Sequence, residues 1–255
     1  MVSCRSARLR SVLSHALCVF TSFALLLTVL PGIWASAESE AGRFGAESEN
    51  APAPNPACYG SVSIDQADEV LPVIQRARDS GLLGPDEIVA FDPNAHFYRG
   101  LYARNIEYYL DDSILAILWK EEIDGKSCSF AEVKIADASQ FRRKLADDTF
   151  GSDFEYFATV LAAESNAVVA LNADYYRHRD FGMLVYDREL FRFNTAYYAE
   201  GYCQYNCIDT LFVTESGDFL YQKLGEENSP ESIRDFIQDN NILFSVDFGP
   251  VLVEN

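Results

Sequence analysis

The stretch that decides the fold runs from residue 105 to residue 136 and reads NIEYYLDDSILAILWKEEIDGKSCSFAEVKIA. It contains two extended runs, Asn105–Leu110 and Ser113–Lys120, and the second run continues into the dipeptide Asp124-Gly125. Asp-Gly between two apolar runs is a strong hairpin signal, because both central residues of the tight turn need a positive φ. Cys128–Ala136 is then the returning strand, and the stretch predicts antiparallel pairing.

The same signals predict the other elements of the chain. Amphipathic spacing predicts helices at 64–80, 138–148, 154–165 and 229–238, of which the first has Asp65 as its cap and the last has Ser229. Pro72 weakens the first of these predictions or kinks that helix. Strands are predicted at 167–171, 182–186, 189–193, 208–214, 218–223, 242–248 and 251–253. Many strands with few interspersed helices indicate an α+β (mixed α/β) domain, with a largely antiparallel sheet and helices packed on it.

The N-terminus has the pattern of a secretory signal peptide, which we assign to residues 1–37. Arg5, Arg8 and Arg10 form a basic region, Ala16–Leu30 is apolar, and Ala35-Ser36-Ala37 has the small-x-small pattern of a cleavage site. The alternative is an uncleaved membrane anchor, because Val12–Trp34 is long enough to span a bilayer. We therefore expect a secreted or cell-envelope protein, or one that is attached to a membrane only through this segment.

The rest of the chain divides by composition. Residues 38–57 are rich in Ala, Glu, Ser, Pro and Asn, which is typical of a disordered acidic linker. Residues 58–100 are predicted to be a helical lead-in, and residues 101–255 to be the main domain. The formal net charge of −19 becomes more negative when the arginine-containing signal is removed. Such acidity disfavours binding to nucleic acid or to an anionic bilayer.

Four cysteines follow the predicted signal: Cys58, Cys128, Cys203 and Cys207. An even number of cysteines in an exported chain indicates disulfides, and three connectivities remain open. The Cys203 and Cys207 pair has metal-like spacing, but no second close pair or nearby His completes a tetrahedral zinc site, so no metal and no cofactor are predicted.

A polar cluster, NADYYRHRD at 172–180, directly follows the apolar run 167–171, and polar residues at the end of a buried strand often form sites. Asp174 could act as an acid or a base, and Asn172 could donate a hydrogen bond to a developing oxyanion. Arg177 and Arg179 could bind a phosphate. The alternative is an ordinary solvated loop, in which the polar residues stabilise a turn and the arginines pair with Asp180.

A family resemblance favours the functional interpretation. Residues 164–176 (ESNAVVALNADYY), followed by Gly182 and a hairpin ending in Leu-Phe-Arg, resemble the phosphodiester glycosidase family, in which an apolar strand leads into Asn-Gly-Asp-Tyr-Tyr. Residues 133–146 are similar to the strand and helix that precede this motif. Residues 244–253 (FSVDFGPVLV) are similar to the family's Phe-Gly-Pro-x-Leu-Val strand.

The resemblance implies an enzyme that cleaves the bond between a sugar's anomeric carbon and a phosphodiester oxygen. The family is related to the enzyme that uncovers mannose 6-phosphate, and its bacterial members are associated with exopolysaccharides. It implies Asn172 and Asp174 as catalytic residues, Tyr175, Tyr176, Arg177 and Arg179 as substrate-binding residues, and a carbohydrate or sugar-phosphate ligand.

The sequence also departs from the family pattern. Ala173 replaces the family's Gly, and the family's Arg-Thr-Ala-x-Gly strand and Asp-Gly-Gly-Gly-Ser loop are not found before Asn255. We therefore expect a domain that lacks its C-terminal part, which a complementing segment could supply. If it is not completed, the alternative function is a non-catalytic module that binds a glycan or sugar phosphate.

Overall fold

The computed structural model describes residues 53–101, 104–151, 156–171, 182–194, 209–223 and 228–247, together with the backbone of residues 16–19. The chain forms two compact units. The first unit comprises Ser14–Lys134 and Ala162–Val169, and the second comprises Met1–Leu13, Ile135–Leu161 and Ala170–Asn255. A mixed α+β class is thereby confirmed, with two antiparallel sheets where the sequence indicated one.

The first unit is built on a five-stranded sheet in the order β1-β5-β4-β3-β2. Its strands are β1 (Ala16–Val19), β2 (Tyr59–Ser63), β3 (Asn105–Leu110), β4 (Ile114–Ile123) and β5 (Lys126–Ile135). The predicted β4–β5 hairpin is confirmed, and Asp124 and Gly125 have the positive φ values of 51° and 73° that its turn requires. Strand β2 lies in the segment that was predicted to be only a helical lead-in.

The core of the first unit lies between this sheet and helix α1 (Leu71–Asp79). Val73, Ile74 and Ala77 of the helix are buried, which is the spacing of one helical face. The single helix predicted over 64–80 is in fact two pieces, a 3-10 segment Ile64–Val70 followed by α1. Proline at the start of α1 explains the break, because its ring fits the first turn of a helix and not the interior.

A buried carboxylate attaches the loop before residue 92 to strand β5. Glu132 is 1% exposed, and its two oxygens accept hydrogen bonds from the amide of Ala90 at 3.1 and 2.9 Å. One of these oxygens also accepts from the amide of Phe91 at 3.2 Å. Two residues along β5, Lys134 forms a buried ion pair with Glu87 of the same loop. Backbone amide groups without a strand partner are thus satisfied by side chains.

We predict that Glu132→Gln destabilises the first unit by about 1–2 kcal/mol, because one of the two oxygens that face the Ala90 amide becomes an NH2 donor and the remaining oxygen is an uncharged, weaker acceptor. Hydrogen exchange at the amides of Ala90 and Phe91 should accelerate, and the urea midpoint should fall. Glu122→Gln, at an exposed position of β4, is the matched control and should leave both unchanged. Unchanged protection of the two amides in Glu132→Gln would contradict the assigned contacts.

The carboxylate of Asp111 holds the turn between β3 and β4. It accepts hydrogen bonds from the Tyr109 hydroxyl at 2.6 Å and from the amides of Ser113 and Ile114, each at 2.7 Å. Partial burial acts to raise the pKa of Asp111, but these hydrogen bonds together bring its pKa below the ordinary value. Burial and the bond to Asp111 raise the pKa of Tyr109.

We predict a pH-dependent stability difference for Asp111→Asn. Because the folded pKa is the lower one, the carboxylate stabilises the fold above the unfolded pKa of about 4, and this stabilisation disappears as the pH falls through the folded value. The substitution should cost about 1 kcal/mol at neutral pH and progressively less below pH 4. Urea unfolding at several pH values measures this, with Asp112→Asn, an exposed neighbour, as the control. A difference that does not vary with pH would disprove the assignment.

The second unit is built on a five-stranded sheet in the order β7-β6-β10-β8-β9. Its strands are β6 (Gly182–Tyr186), β7 (Glu189–Asn194), β8 (Asp209–Thr214), β9 (Phe219–Lys223) and β10 (Ile242–Asp247). Every pairing is antiparallel. Both predicted hairpins and the predicted strand at 242–248 are confirmed within the described residues, whereas the predicted strand at 251–253 lies outside them.

Helix α3 (Pro230–Asp239) packs on one face of this sheet. Ser229 caps it as predicted, since the Ser229 hydroxyl accepts a hydrogen bond from the amide of Ser232 at 3.1 Å. Ile233 and Ile237 of the helix form a core with buried sheet residues Met183, Val185, Phe212 and Ile242.

The predicted helix at 138–148 is wrong. The structure has only two 3-10 turns there, Ala138–Gln140 and Ala146–Asp148, and Phe141 between them is extended. The cause is tertiary contact, because the Phe141 ring packs edge-on against the rings of Phe219 and Phe244. The distances between ring centroids are 5.9 Å and 5.3 Å. This packing outweighs the helical spacing of the local sequence.

The predicted buried strand at 167–171 is also wrong. Helix α2 (Ala158–Glu164), which lies within the predicted helix 154–165, ends at Glu164, and Asn166 beyond it has a positive φ of 50°. The amide of Ala167 then closes the helix by bonding to the carbonyl of Ala162 at 2.9 Å. The following residues are bent and only partly buried, and Leu171 is 45% exposed. A short apolar run does not by itself distinguish a strand from the segment after a helix.

Candidate functional site

The described residue next to the candidate site segment 172–181 is Gly182, which lies at one end of the second sheet, and we call this the Gly182 end. Strands β6 and β8 begin there, and strands β7, β9 and β10 end there. The registers that define this end pair Gly182 with Asn194, Asp209 with Lys223, and Thr210 with Asp247. The described strand residues that flank 172–181, 195–208, 224–227 and 248–255 in the sequence therefore all include one at this end.

A buried carboxylate connects three strands at the Gly182 end. Asp247 of β10 is 3% exposed, and its two oxygens accept short hydrogen bonds from the amide of Met183 in β6 and from the hydroxyl of Thr210 in β8. Thr210 is fully buried. A buried charge requires such partners, because it has lost its hydration. Asp247 therefore fixes the positions of both neighbours of the central strand.

The pairing between β6 and β10 is completed by side chains. Their ladder pairs Tyr186 with Phe244, and beyond this pair the hydroxyl of Ser245 accepts from the amide of Val185 at 2.9 Å. The carbonyl of Ser245 accepts instead from the guanidinium of Arg143. Alternate residues of β10 thus supply the acceptors that β6 requires on the way to the Gly182 end.

A row of polar side chains crosses the sheet at this level, on the face that α3 covers. Gln222 of β9 is opposite Thr210 in the register, and Thr210 is opposite Asp247. Two residues further along β8, Phe212 belongs to the core under α3, which places the row on the same face. The side-chain oxygen of Gln222 is buried and has no hydrogen-bond partner among the described residues.

Gly182 is required where the site segment joins the sheet. Its φ is +83°, and a Cβ at this position would lie 2.0 Å from the Oδ2 atom of Asp247. Both the backbone conformation and the close approach of the carboxylate exclude a side chain. Because Asp247 at the end of β10 occupies the space of a side chain there, only glycine fits at the start of β6.

None of the predicted site residues lies in the part of the chain that the structure describes. Asn172, Asp174, Tyr175, Tyr176, Arg177 and Arg179 lie outside the described residues, as do Cys203 and Cys207. The site was predicted because it would follow a buried strand at 167–171, but these residues do not form a strand. A different observation now bears on segment 172–181: the residue that follows it, Gly182, lies beside the buried carboxylate of Asp247. The sequence pattern did not indicate the buried polar residues Asp247 and Thr210 at this end of the sheet.

The two cysteines whose side chains the structure describes, Cys58 and Cys128, are not bonded to each other. Cys58 precedes β2 and Cys128 lies in β5, and these two strands are separated by β3 and β4. Neighbouring strands are about 4.8 Å apart, so the two sulfur atoms cannot bond to each other. Of the three connectivities, the one that pairs Cys58 with Cys128 is thus excluded within this chain.

Neither a metal site nor a membrane-spanning helix is found among the described residues. They contain no group of three or more His, Cys, Asp or Glu side chains that could hold a metal ion. None of the helices in that part of the chain is long and apolar enough to cross a membrane.

Comparison with protein-family models, with curated proteins and with solved structures gave no match. The class of protein is therefore defined by its own architecture, a mixed α+β chain of two units that are each built on an antiparallel sheet.

We predict that Gly182→Ala destabilises the second unit by about 2–4 kcal/mol, since the strain of a positive φ adds to the clash with Asp247. Gly151→Ala is the matched control: Gly151 is in the same unit with a φ of +81°, and no described atom lies within 4 Å of the point that a Cβ would occupy there. It should cost only about 1 kcal/mol. Thermal unfolding of both variants tests this, and equal losses would contradict the contact with Asp247.

Proposed function

We propose that this chain is an exported hydrolase that cleaves the bond between a sugar's anomeric carbon and a phosphodiester oxygen, in glycans of the cell envelope or in exopolysaccharide. One observation supports the proposal above the others. The segment 172–181, which contains every candidate catalytic and substrate-binding residue, joins the second sheet at Gly182, beside the buried carboxylate of Asp247.

The residue types in this segment match the chemistry that the reaction requires. Glycosyl transfer to water needs a carboxyl group that can exchange a proton, and Asp174 is proposed for this role. The phosphate leaving group carries negative charge, which Arg177 and Arg179 would stabilise by paired hydrogen bonds. Asn172 would donate a hydrogen bond to a developing oxyanion, and Tyr175 and Tyr176 would contact the sugar ring.

The Asp247 cluster is proposed to support this segment. Catalytic groups must be held close to their productive geometry. A segment that is anchored next to a rigid strand meets this requirement better than one whose anchor point can move. Hydrogen bonds from both neighbouring strands to Asp247 fix the position of Met183, one residue after the segment's point of attachment. Asp247 is thus a positioning residue in this proposal.

We also propose that the fold resembles that of the phosphodiester glycosidase family. Strand β10 (Ile242–Asp247) coincides with the start of the run that resembles the family's Phe-Gly-Pro-x-Leu-Val strand. The two antiparallel sheets and few helices would suit a phosphodiester-glycosidase-like domain.

Export is proposed from the N-terminal sequence, and it has a structural consequence. Strand β1 (Ala16–Val19) lies within the predicted signal and pairs with residues Ser129–Glu132 of β5. Cleavage after Ala37 would remove this partner, so β5 would become an edge strand of the first sheet in the mature protein.

We predict that the full chain releases N-acetylglucosamine from UDP-N-acetylglucosamine. Asp174→Asn should lower kcat/KM by about 100-fold or more, which is the usual contribution of a general acid or base. Asp187→Asn is the control, because Asp187 is exposed in the β6–β7 turn at the opposite end of the sheet, with a φ of 47° that Asn also tolerates. Sugar release is measured by chromatography.

Each outcome is decisive. Turnover that Asp174→Asn does not reduce would overturn the assigned role of Asp174. Saturable binding of the sugar nucleotide without turnover, weakened by Asp174→Ala or Tyr175→Ala, would identify a non-catalytic binding module. Neither binding nor turnover would reject both functions.

A further inference from the structure

Strand β5 is paired on its outer side with β1, the strand that lies at the edge of the first sheet. The pairing is antiparallel and involves the consecutive residues Ser129–Glu132 of β5. The full length of β5, Lys126–Ile135, contains no proline, which is one of the residues that protect sheet edges from further pairing. The outer side of β5 is thus a regular backbone edge that accepts an antiparallel strand.

The β4–β5 turn determines which backbone groups of β5 point outward. Its two central residues have positive φ, so the strand residues beside it, Ile123 and Lys126, form a hydrogen-bonded pair. The direction of hydrogen bonding alternates along an antiparallel strand. Lys126 and every second residue after it therefore bond to β4, whereas Ser127, Ser129 and Ala131 direct their N–H and C=O groups outward.

Export would remove the strand that occupies this edge. β1 (Ala16–Val19) lies inside the predicted signal of residues 1–37, so the mature chain would lack it. The outward N–H and C=O groups of β5 would then be a template for pairing with another strand.

The charges around β5 are self-complementary when a second copy of β5 lies antiparallel to it about Ser129. In this register Lys126 of each copy faces Glu132 of the other, and Asp124 in the turn lies opposite Lys134. Lys126 is exposed, and the Cβ atoms of facing residues are about 5 Å apart, which brings its ammonium group near the edge of the carboxylate. Opposite charges at facing positions stabilise antiparallel pairs, so this register is favoured.

Neighbouring registers do not have this match. Pairing about Phe130, one residue further along, would place Lys126 opposite Lys134, and a shift of one residue in the other direction would place Asp124 opposite Glu132. Like charges at facing positions destabilise a sheet, so both shifts are opposed.

The side chains at the centre of the favoured register are small. Ser129 faces its own counterpart, and Ser127 of each copy faces Ala131 of the other. Both serines are exposed, so the two backbones meet there without displacing a packed side chain.

We propose that the outer edge of β5 is a self-association surface, through which two mature chains join their first sheets antiparallel about Ser129. The two copies use the same surface, as in other two-fold dimers. The dimer goes beyond the proposed hydrolase activity and rests on the proposed function for one point, export, because removal of the signal frees the edge. Pairing along one strand buries a small area, so the dimer should dissociate on dilution.

The test is sedimentation velocity of the exported chain at a series of concentrations, with its N-terminus identified by mass spectrometry. The processed chain should form a dimer. Lys126→Glu should weaken self-association about tenfold, because two like-charge pairs replace two opposite-charge pairs. Arg76→Glu makes the same charge change at an exposed position of α1, so it is the matched control and should dimerise like the unmodified chain.

Ala131→Pro tests the backbone pairing. Proline has no N–H to donate, and an edge strand tolerates it where the N–H group points outward, so the variant should fold and remain monomeric. If Ala131→Pro fails to fold, Lys126→Glu decides the result, with its thermal unfolding compared with that of Arg76→Glu.

Hydrogen exchange locates the interface. The outward amides of Ser127, Ser129 and Ala131 should exchange more slowly as the protein concentration rises. The amides of Cys128 and Phe130, which bond to β4, should be protected at every concentration.

Three results would overturn the inference: a processed chain that is monomeric at every concentration, a dimer that neither variant weakens, or outward amides whose exchange does not depend on concentration. Failure of export is distinguishable from these, because mass spectrometry would show a chain that retains residues 16–19. Such a chain would reject both export and the dimer, whereas a processed monomer would reject the dimer alone.

Discussion

The second unit depends on the burial of one carboxylate between strands. Asp247 lies in β10, the central strand, and its oxygens accept hydrogen bonds from β6 on one side and β8 on the other. Without these partners a buried charge would strongly oppose folding. The energetic requirement of one side chain therefore fixes the strand positions at the Gly182 end, and it excludes a side chain at Gly182 itself.

Most strands of both sheets could be predicted from the sequence because their signals are local. Turn residues with positive φ, such as Asp124 and Gly125, and alternating apolar residues are properties of neighbouring positions. The helix at 138–148 could not be excluded in this way, since Phe141 is held in an extended conformation by rings on distant strands. The spacing of apolar residues indicates which side chains are buried, but it does not indicate which distant side chains they pack against.

The candidate site was predicted from its residue types, and the structural context that was predicted with it is wrong. The apolar run before Asn172 is bent rather than a strand, and it lies outside the second sheet. A better signal was present in β10, where Ser245 and Asp247 are polar residues at alternate positions of an otherwise apolar strand. Inward polar residues in a buried strand need specific partners, which spacing alone cannot identify.

The net charge of the chain limits how it could hold a phosphodiester. With a formal net charge of −19, the average field repels an anion, so binding requires a local positive group. Several cations of the second unit already have partners: Arg143 donates to the Ser245 carbonyl, Lys144 pairs with Asp148, and Arg188 pairs with Glu215. Arg177 and Arg179 are the cations that the proposed mechanism assigns to the phosphate.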